Sequence, residues 1–139
     1  MQSSNSPKSF GSKTPLHTTP KIRGLLLLYV AFSLLGAIFT PYLMLFNKLA
    51  FYGVFKGGLS LGFINAVAVA DSILTLACVV LIARKLKIAR YANIALLTLG
   101  IISAPLLYNL NEVLFTFGFN GLWVLYFISS FRVRATLVL

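Results

Sequence analysis

Four long apolar runs constrain this chain more than any other feature of its sequence. A run of about 20 apolar residues is long enough to cross the hydrocarbon core of a bilayer as a helix. Only 10 % of the residues are charged, against about 25 % in ordinary soluble domains. We therefore predict an all-α integral membrane four-helix bundle made of two helical hairpins. Its predicted spans are residues 24–46, 61–83, 91–110 and 113–131.

The segment before the first span has a different composition. Residues 1–22 are rich in Ser, Thr and Pro and contain no acid. Such a segment cannot bury enough apolar surface to offset the entropy lost on ordering. We predict a flexible, basic, cytoplasmic tail over residues 1–22, followed by a transmembrane domain over residues 23–139.

Basic residues are distributed unevenly about the predicted spans. Of the 12 Lys and Arg residues, all except Lys48 and Lys56 fall on one side. Because basic loops stay in the cytoplasm, this pattern predicts a multi-pass membrane protein with both termini cytoplasmic. The excess positive charge is explained by anionic lipids of the inner leaflet, and we predict no nucleic-acid partner. The predicted lipid-headgroup anchors are Arg84, Lys85, Lys87, Arg90, Arg132 and Arg134.

A shift of 64 residues aligns segment 36–51 with segment 100–115. Two interpretations stay open: a duplicated helical hairpin in parallel orientation, or coincidence in a biased composition. In either case, Pro41 and Pro105 are predicted to bend their helices, because proline removes one backbone hydrogen bond. The most informative matched pairs are Gly36 with Gly100, Pro41 with Pro105, and Asn47 with Asn111.

Asp71 is the one acid within the second apolar run. An ionised carboxylate near the bilayer midplane is costly, and no Lys or Arg is expected at the same depth. Desolvation therefore favours the neutral carboxyl. We favour a role as polar glue, with a hydrogen bond to Thr98, Asn120 or Ser33, over a role as the coupling acid of a transporter. The predicted intramembrane polar cluster comprises Asp71, Asn65, Ser72, Thr75, Asn120 and Thr98.

The sequence contains none of the residue combinations H-x-x-E, C-x-x-C or Ser-His-Asp that common catalytic and metal sites use. His17, the single histidine, lies in the tail, and Cys78 is the single cysteine. We therefore predict no enzymatic activity, no metal and no cofactor. Glu112 is expected in a solvated turn, and Trp123 is expected in helix packing or an interfacial aromatic belt.

The C-terminal segment "WVLYFISSFRVRATLVL" resembles the closing signature of the YdgK-like family of small bacterial inner-membrane proteins. The opening "RGLLLLY" is similar to the family's Gly-Trp-Leu start, with Gly24 matching and Leu25 in place of Trp. Leu137 stands where the family has an aromatic residue. The resemblance implies four helices in the bacterial inner membrane and brings no activity, since the family has none assigned. The matching C-terminal residues are Trp123, Tyr126, Phe127, Ser130, Arg132, Val133, Arg134 and Thr136.

Two functions follow as expectations. The first is a non-catalytic accessory or assembly subunit, or a small homo-oligomer, which acts through helix contacts with another membrane protein or a second copy. The alternative is a minimal proton- or cation-coupled transporter of small molecules that uses Asp71. This alternative is similar in size and helix count to small multidrug exporters, which carry their acid in the first helix instead.

Overall fold

The computed structural model describes residues 24–137, which form an all-α bundle. Four of the helices in this range are long and apolar enough to cross a membrane. The predicted all-α four-helix membrane bundle is thereby confirmed, whereas the predicted tail 1–22 lies outside the described residues. The helices are α1 (Leu25–Phe46), α2 (Lys48–Gly53), α3 (Leu61–Ala83), α4 (Ile88–Leu107), α5 (Leu110–Ser129) and α6 (Phe131–Thr136).

Helix boundaries follow from local capping and turn chemistry. α3 begins after Ser60, whose Oγ accepts a hydrogen bond from the Phe63 amide at 3.3 Å. It ends at a tight turn in which Lys85 takes a positive φ of 55°. This turn is so short that α4 already begins at Ile88, and the predicted anchor Arg90 lies in its first turn.

The fourth span also begins earlier than the apolar run alone indicated. α5 starts at Leu110, directly after the extended residue Asn109. Glu112 lies in its first turn, where a negative charge is favoured by the helix dipole. The apolar run misses this first turn, because polar residues at the start of a helix lower the local hydropathy although they belong to the helix.

The two prolines predicted to bend their helices, Pro41 and Pro105, lie inside membrane helices and near the ends of those helices. Pro41 belongs to α1, which ends at Phe46, and Pro105 belongs to α4, which ends at Leu107. The bends expected at these residues stay predictions.

The long helices pack as two pairs. α1 packs mainly against α3, α4 mainly against α5, and a thinner contact joins α3 to α4. We call the end with the 84–87 turn and α6 the basic end, and the end with residues 54–60 and Tyr108 the loop end. The basic-end cluster is Leu26, Tyr29, Ile82, Ala89, Leu97, Trp123, Phe127, Val133 and Leu137. The loop-end cluster is Phe51, Phe55, Ile64 and Ala68, with Tyr52 and Tyr108 packed against it.

Backbone hydrogen bonds connect the two pairs at the loop end. The Lys56 amide donates to the Leu107 carbonyl at 2.8 Å, and the Asn109 amide donates to the Val54 carbonyl at 3.1 Å. The Asn109 side chain also donates to the Gly53 carbonyl at 2.9 Å. The turn after α4 is thus bonded to the segment after α2 in addition to being exposed to solvent.

Two arginines hold the end of α5. Arg90 donates from Nε to the Phe127 carbonyl at 2.9 Å and from a terminal nitrogen to the Ile128 carbonyl at 3.2 Å. Arg134 donates to the same Ile128 carbonyl at 3.0 Å. The last carbonyls of a helix have no partner within the helix, so these guanidinium groups satisfy them. Arg90 and Arg134 therefore have protein partners in addition to any lipid contact.

Candidate functional site

A polar cavity of about 300 Å³ lies between the four long helices. Each helix contributes a stripe of residues at helical spacing, as shown on α3 by Val67, Asp71 and Thr75. Tyr29 and Tyr108 belong to the same wall. The other polar side chains that line the cavity are Ser33, Thr40, Asp71, Thr75, Ser103, Thr116 and Asn120.

Asp71 is the only acid on the cavity wall, and no Lys, Arg or His lines it. Within residues 24–137, its carboxylate makes neither a hydrogen bond nor an ion pair. Thr75, Thr116 and Asn120 likewise form no side-chain hydrogen bond in that range. Asp71 is exposed and the other three side chains are half-buried. All four can therefore hydrogen-bond to water or to another molecule in the cavity.

The six residues of the predicted polar cluster separate into two groups. Asp71, Thr75 and Asn120 line the cavity. The other three lie elsewhere: the Asn65 side chain accepts a hydrogen bond from the Tyr52 hydroxyl at 2.8 Å, the buried Ser72 hydroxyl donates to the Ala68 carbonyl at 2.9 Å, and Thr98 is exposed on α4. Ser33, named as a possible bonding partner of Asp71, also lines the cavity. The direct hydrogen bond from Asp71 to Thr98, Asn120 or Ser33 is absent from the described residues.

Three Ser and Thr residues of the cavity wall are not among the residues predicted from the sequence: Thr40, Ser103 and Thr116. Each could have been found by its spacing from another polar or small residue. Thr40 is two helical turns from Ser33, Thr116 is about one turn from Asn120, and Ser103 is about one turn from Gly100. Single Ser and Thr residues are common in membrane helices, so none of them draws attention alone.

Gly100 leaves room for the side chain of Asn120 beside the cavity. A Cβ at this position would lie 2.7 Å from the side-chain nitrogen Nδ2 of Asn120. Real Cβ atoms do not approach another heavy atom so closely. A glycine is therefore needed at position 100 if Asn120 keeps its place on the wall.

The basic end of the cavity adjoins a bonded aromatic group. The Tyr29 hydroxyl donates to Asn93 Oδ1 at 2.8 Å, and the fully buried Asn93 amide donates to the Ala89 carbonyl at 2.7 Å. The Tyr29 ring also meets Trp123 and Phe127, with ring centroids 4.9 Å apart in each pair. Trp123 thus takes part in helix packing.

The loop end of the cavity adjoins a second aromatic group. The rings of Phe55 and Tyr108 lie 5.1 Å apart, and those of Phe51 and Phe55 lie 5.4 Å apart. Burial raises the pKa of the Tyr108 hydroxyl, which lies just beyond the end of α4, so this group stays protonated at neutral pH. Aromatic side chains therefore flank the polar cavity on both sides along the bundle.

These features define a class: a multi-pass membrane protein with a polar cavity inside its helical bundle. Across residues 24–137, no group of three His, Cys, Asp or Glu side chains is placed to hold a metal ion. Comparisons with protein-family models, with curated proteins and with solved structures found no match to this chain.

Proposed function

We propose that this protein is a minimal proton- or cation-coupled transporter of small molecules, with Asp71 as its coupling acid. The observation that carries the proposal is the position of Asp71, the only acid on the wall of a cavity bounded by all four membrane helices. Serine, threonine and asparagine side chains share this wall and supply further donors and acceptors. A transport site usually contains several polar groups. The presence of Asp71 in the sequence therefore supports transport less strongly than the polar cavity around it does.

The chemistry of one unpaired carboxylate favours coupling over glue. A side chain that serves as polar glue hydrogen-bonds to another helix, and Asp71 has no such partner in residues 24–137. A carboxylate at membrane depth is tolerated when it is protonated or when a cation neutralises it. A proton and a cation therefore compete for this group, and binding of one releases the other.

The aromatic groups at the two ends fit a transport cycle. In transporters, a site near the membrane midplane is opened to one side at a time. In this protein, the Tyr29 group would separate the cavity from the basic end, and the Phe55 group would separate it from the loop end. Transport requires the aromatic side chains of each group to move apart in turn, so that the cavity opens to one end at a time.

Location and orientation form part of the same proposal. We place the protein in the bacterial inner membrane, with the basic end and both termini in the cytoplasm. Arg84, Lys85, Lys87 and Arg132 then lie near the anionic lipids of the inner leaflet, an attraction worth about 1 kcal/mol for each charge. Membership of the YdgK-like family and the lack of enzymatic activity stay predictions from the sequence.

Infrared spectroscopy of the purified protein tests the coupling role without knowledge of the substrate. The chain contains only two acidic side chains, Asp71 and Glu112, so a protonated-carboxyl band is simple to assign. We expect a band that disappears as the pH rises within the range in which the protein stays folded. It should be missing from Asp71→Asn and retained in the matched control Glu112→Gln.

The same experiment has a clear negative result. If the Asp71 carboxyl keeps its proton across the whole range in which the protein stays folded, it cannot exchange that proton during transport. Asp71 would then be a neutral structural group, and the transporter proposal would fail.

Contact with another membrane protein, or with a second copy of this chain, is the second candidate. This candidate is supported by α5, because only 11 % of the apolar stretch of this helix is buried inside the bundle. Gly118 and Gly121 lie on this helix with nothing within 4 Å of an added Cβ, so another helix could approach closely there. Mass measurement of the intact assembly in mild detergent tests this candidate, which a defined hetero-complex would favour and a bare monomer would contradict.

A further inference from the structure

A second, largely apolar groove of about 480 Å³ runs between α3 and α4. Four of its large side chains are partly exposed on the outer surface of the bundle: Phe63 (49 %), Leu74 (48 %), Leu99 (57 %) and Leu106 (71 %). In a membrane protein, such exposed apolar side chains face lipid tails. The groove therefore opens toward the bilayer.

The groove and the polar cavity share part of their walls. Val67, Asp71, Leu96, Gly100, Ser103 and Leu107 line both. Asp71 thus lies where the apolar groove meets the polar cavity. This junction falls between α3 and α4, where the packing of the long helices is thinner than within either helix pair.

We infer that the site takes a lipophilic monovalent cation, which reaches Asp71 sideways from the bilayer through the groove between α3 and α4. The inference rests on the proposed function and names the substrate class and entry route of the same site. One carboxylate, with no basic side chain on either wall, matches a single positive charge.

The walls favour an apolar ligand body over a hydrated ion. On the groove side, the polar side chains are limited to Asp71 and Ser103. These two side chains supply too few oxygen atoms to replace the hydration shell of a small metal cation. On the cavity side, the aromatic residues Phe32, Tyr108 and Phe119 line the wall and can make cation–π contacts. Each volume also falls within the range of about 300–1,000 Å³ that is typical of small-molecule sites.

Protons compete with such a ligand for Asp71. The other titratable side chains on the two walls are the hydroxyls of Tyr29 and Tyr108, which stay neutral near pH 7. Binding should therefore strengthen as the pH rises, with release of the Asp71 proton where the carboxyl begins protonated.

Binding of tetraphenylphosphonium to the full-length protein in nanodiscs of neutral lipid tests the inference, with protein-free nanodiscs as background. Methylammonium, a small hydrophilic cation, is the comparison probe. We expect tetraphenylphosphonium to bind and methylammonium not to bind. Asp71→Asn should weaken binding about tenfold or more, because it removes the charge partner.

A pair of substitutions on one face of α3 tests the entry route. Ala70 lines the groove, whereas Ala77 lies outside it, exposed on the same face about 10 Å farther along the helix. Ala70→Trp should slow association of tetraphenylphosphonium about tenfold, and Ala77→Trp should change it less than about twofold. If Ala70→Trp does not fold, Leu99→Trp fills the groove from α4 instead.

Each opposite result overturns a stated part of the inference. Equal association rates for the two tryptophan variants would exclude the lateral route, and Asp71-dependent binding of methylammonium would exclude the lipophilic class. Absence of tetraphenylphosphonium binding to the wild-type protein would overturn the whole inference. The infrared titration of Asp71 is independent of these results, so failure of the substrate class and failure of the proposed function are distinguishable.

Discussion

At the scale of single residues, the sequence identified Asp71 but not its surroundings. An acid in an apolar span is costly enough to stand out without any structure. A helical wheel, however, gives directions on one helix and does not say which neighbour each direction meets. Ser72 and Asp71 fall in the same predicted polar arc, yet Ser72 is buried and bonded to its own helix while Asp71 lines the cavity.

Two substitutions of Asp71 separate coupling from structural glue. Asp71→Asn keeps a polar side chain of the same size but cannot carry a titrating proton, and Asp71→Leu removes the polar group. If Asp71 couples transport, both variants lose activity equally, measured as the cellular phenotype at normal protein abundance. Because Asp71 has no protein partner in the described residues, neither variant should lower stability by more than about 0.6 kcal/mol, the mean for hydrogen bonds within membranes.

The matched control for this pair is Glu112→Gln, which removes the other acid of the chain and should leave activity unchanged. Normal function of Asp71→Asn alongside loss in Asp71→Leu would contradict coupling. That result would restore the view of Asp71 as a neutral hydrogen-bonding side chain.

At the scale of helices, hydropathy predicts spans well and short helices poorly. The bilayer demands about 20 apolar residues in each spanning helix, and this length is visible in the sequence. α2 and α6 contain 6 residues each, so they carry no such signal. The role of Arg90 also escaped prediction, because a count of basic residues gives the side of the membrane but no partner.

Replacement of Arg90 tests whether geometry or charge matters at the end of α5. Arg90→Lys keeps the charge but cannot reach both the Phe127 and Ile128 carbonyls with a planar fork of donors. We expect it to lower the free energy of unfolding by about 1 kcal/mol, the usual scale of a hydrogen bond. The measurement is thermal unfolding in mild detergent.

Arg132→Lys provides the comparison, since Arg132 is exposed and forms no side-chain hydrogen bond within residues 24–137. It should unfold at the wild-type temperature. Equal stability of Arg90→Lys and Arg132→Lys would show that charge alone accounts for both residues, as first expected from the sequence.

At the scale of the whole molecule, the helix pairing bears on the internal repeat. The 64-residue shift relates α1 to α4, and these two helices each pack mainly against the next long helix of the chain. Tyr29 and Asn93 are also separated by 64 residues and hydrogen-bond to each other. Equivalent positions meet in this way near a twofold axis, although duplication stays a hypothesis because sequence identity fades in the last span.

The orientation of the bundle is the prediction on which the transport direction depends. Six of the eight basic residues within residues 24–137 lie at the basic end, and the positive-inside tendency therefore predicts that this end is cytoplasmic. Single cysteines at positions 12, 56 and 87, in a background that lacks Cys78, report each side with a membrane-impermeant maleimide. Position 56, in the exposed segment at the loop end, should react in intact cells. Positions 12 and 87 should react only after the membrane is opened, and reaction of either in intact cells would reverse the topology and, with it, the side from which Asp71 receives its proton.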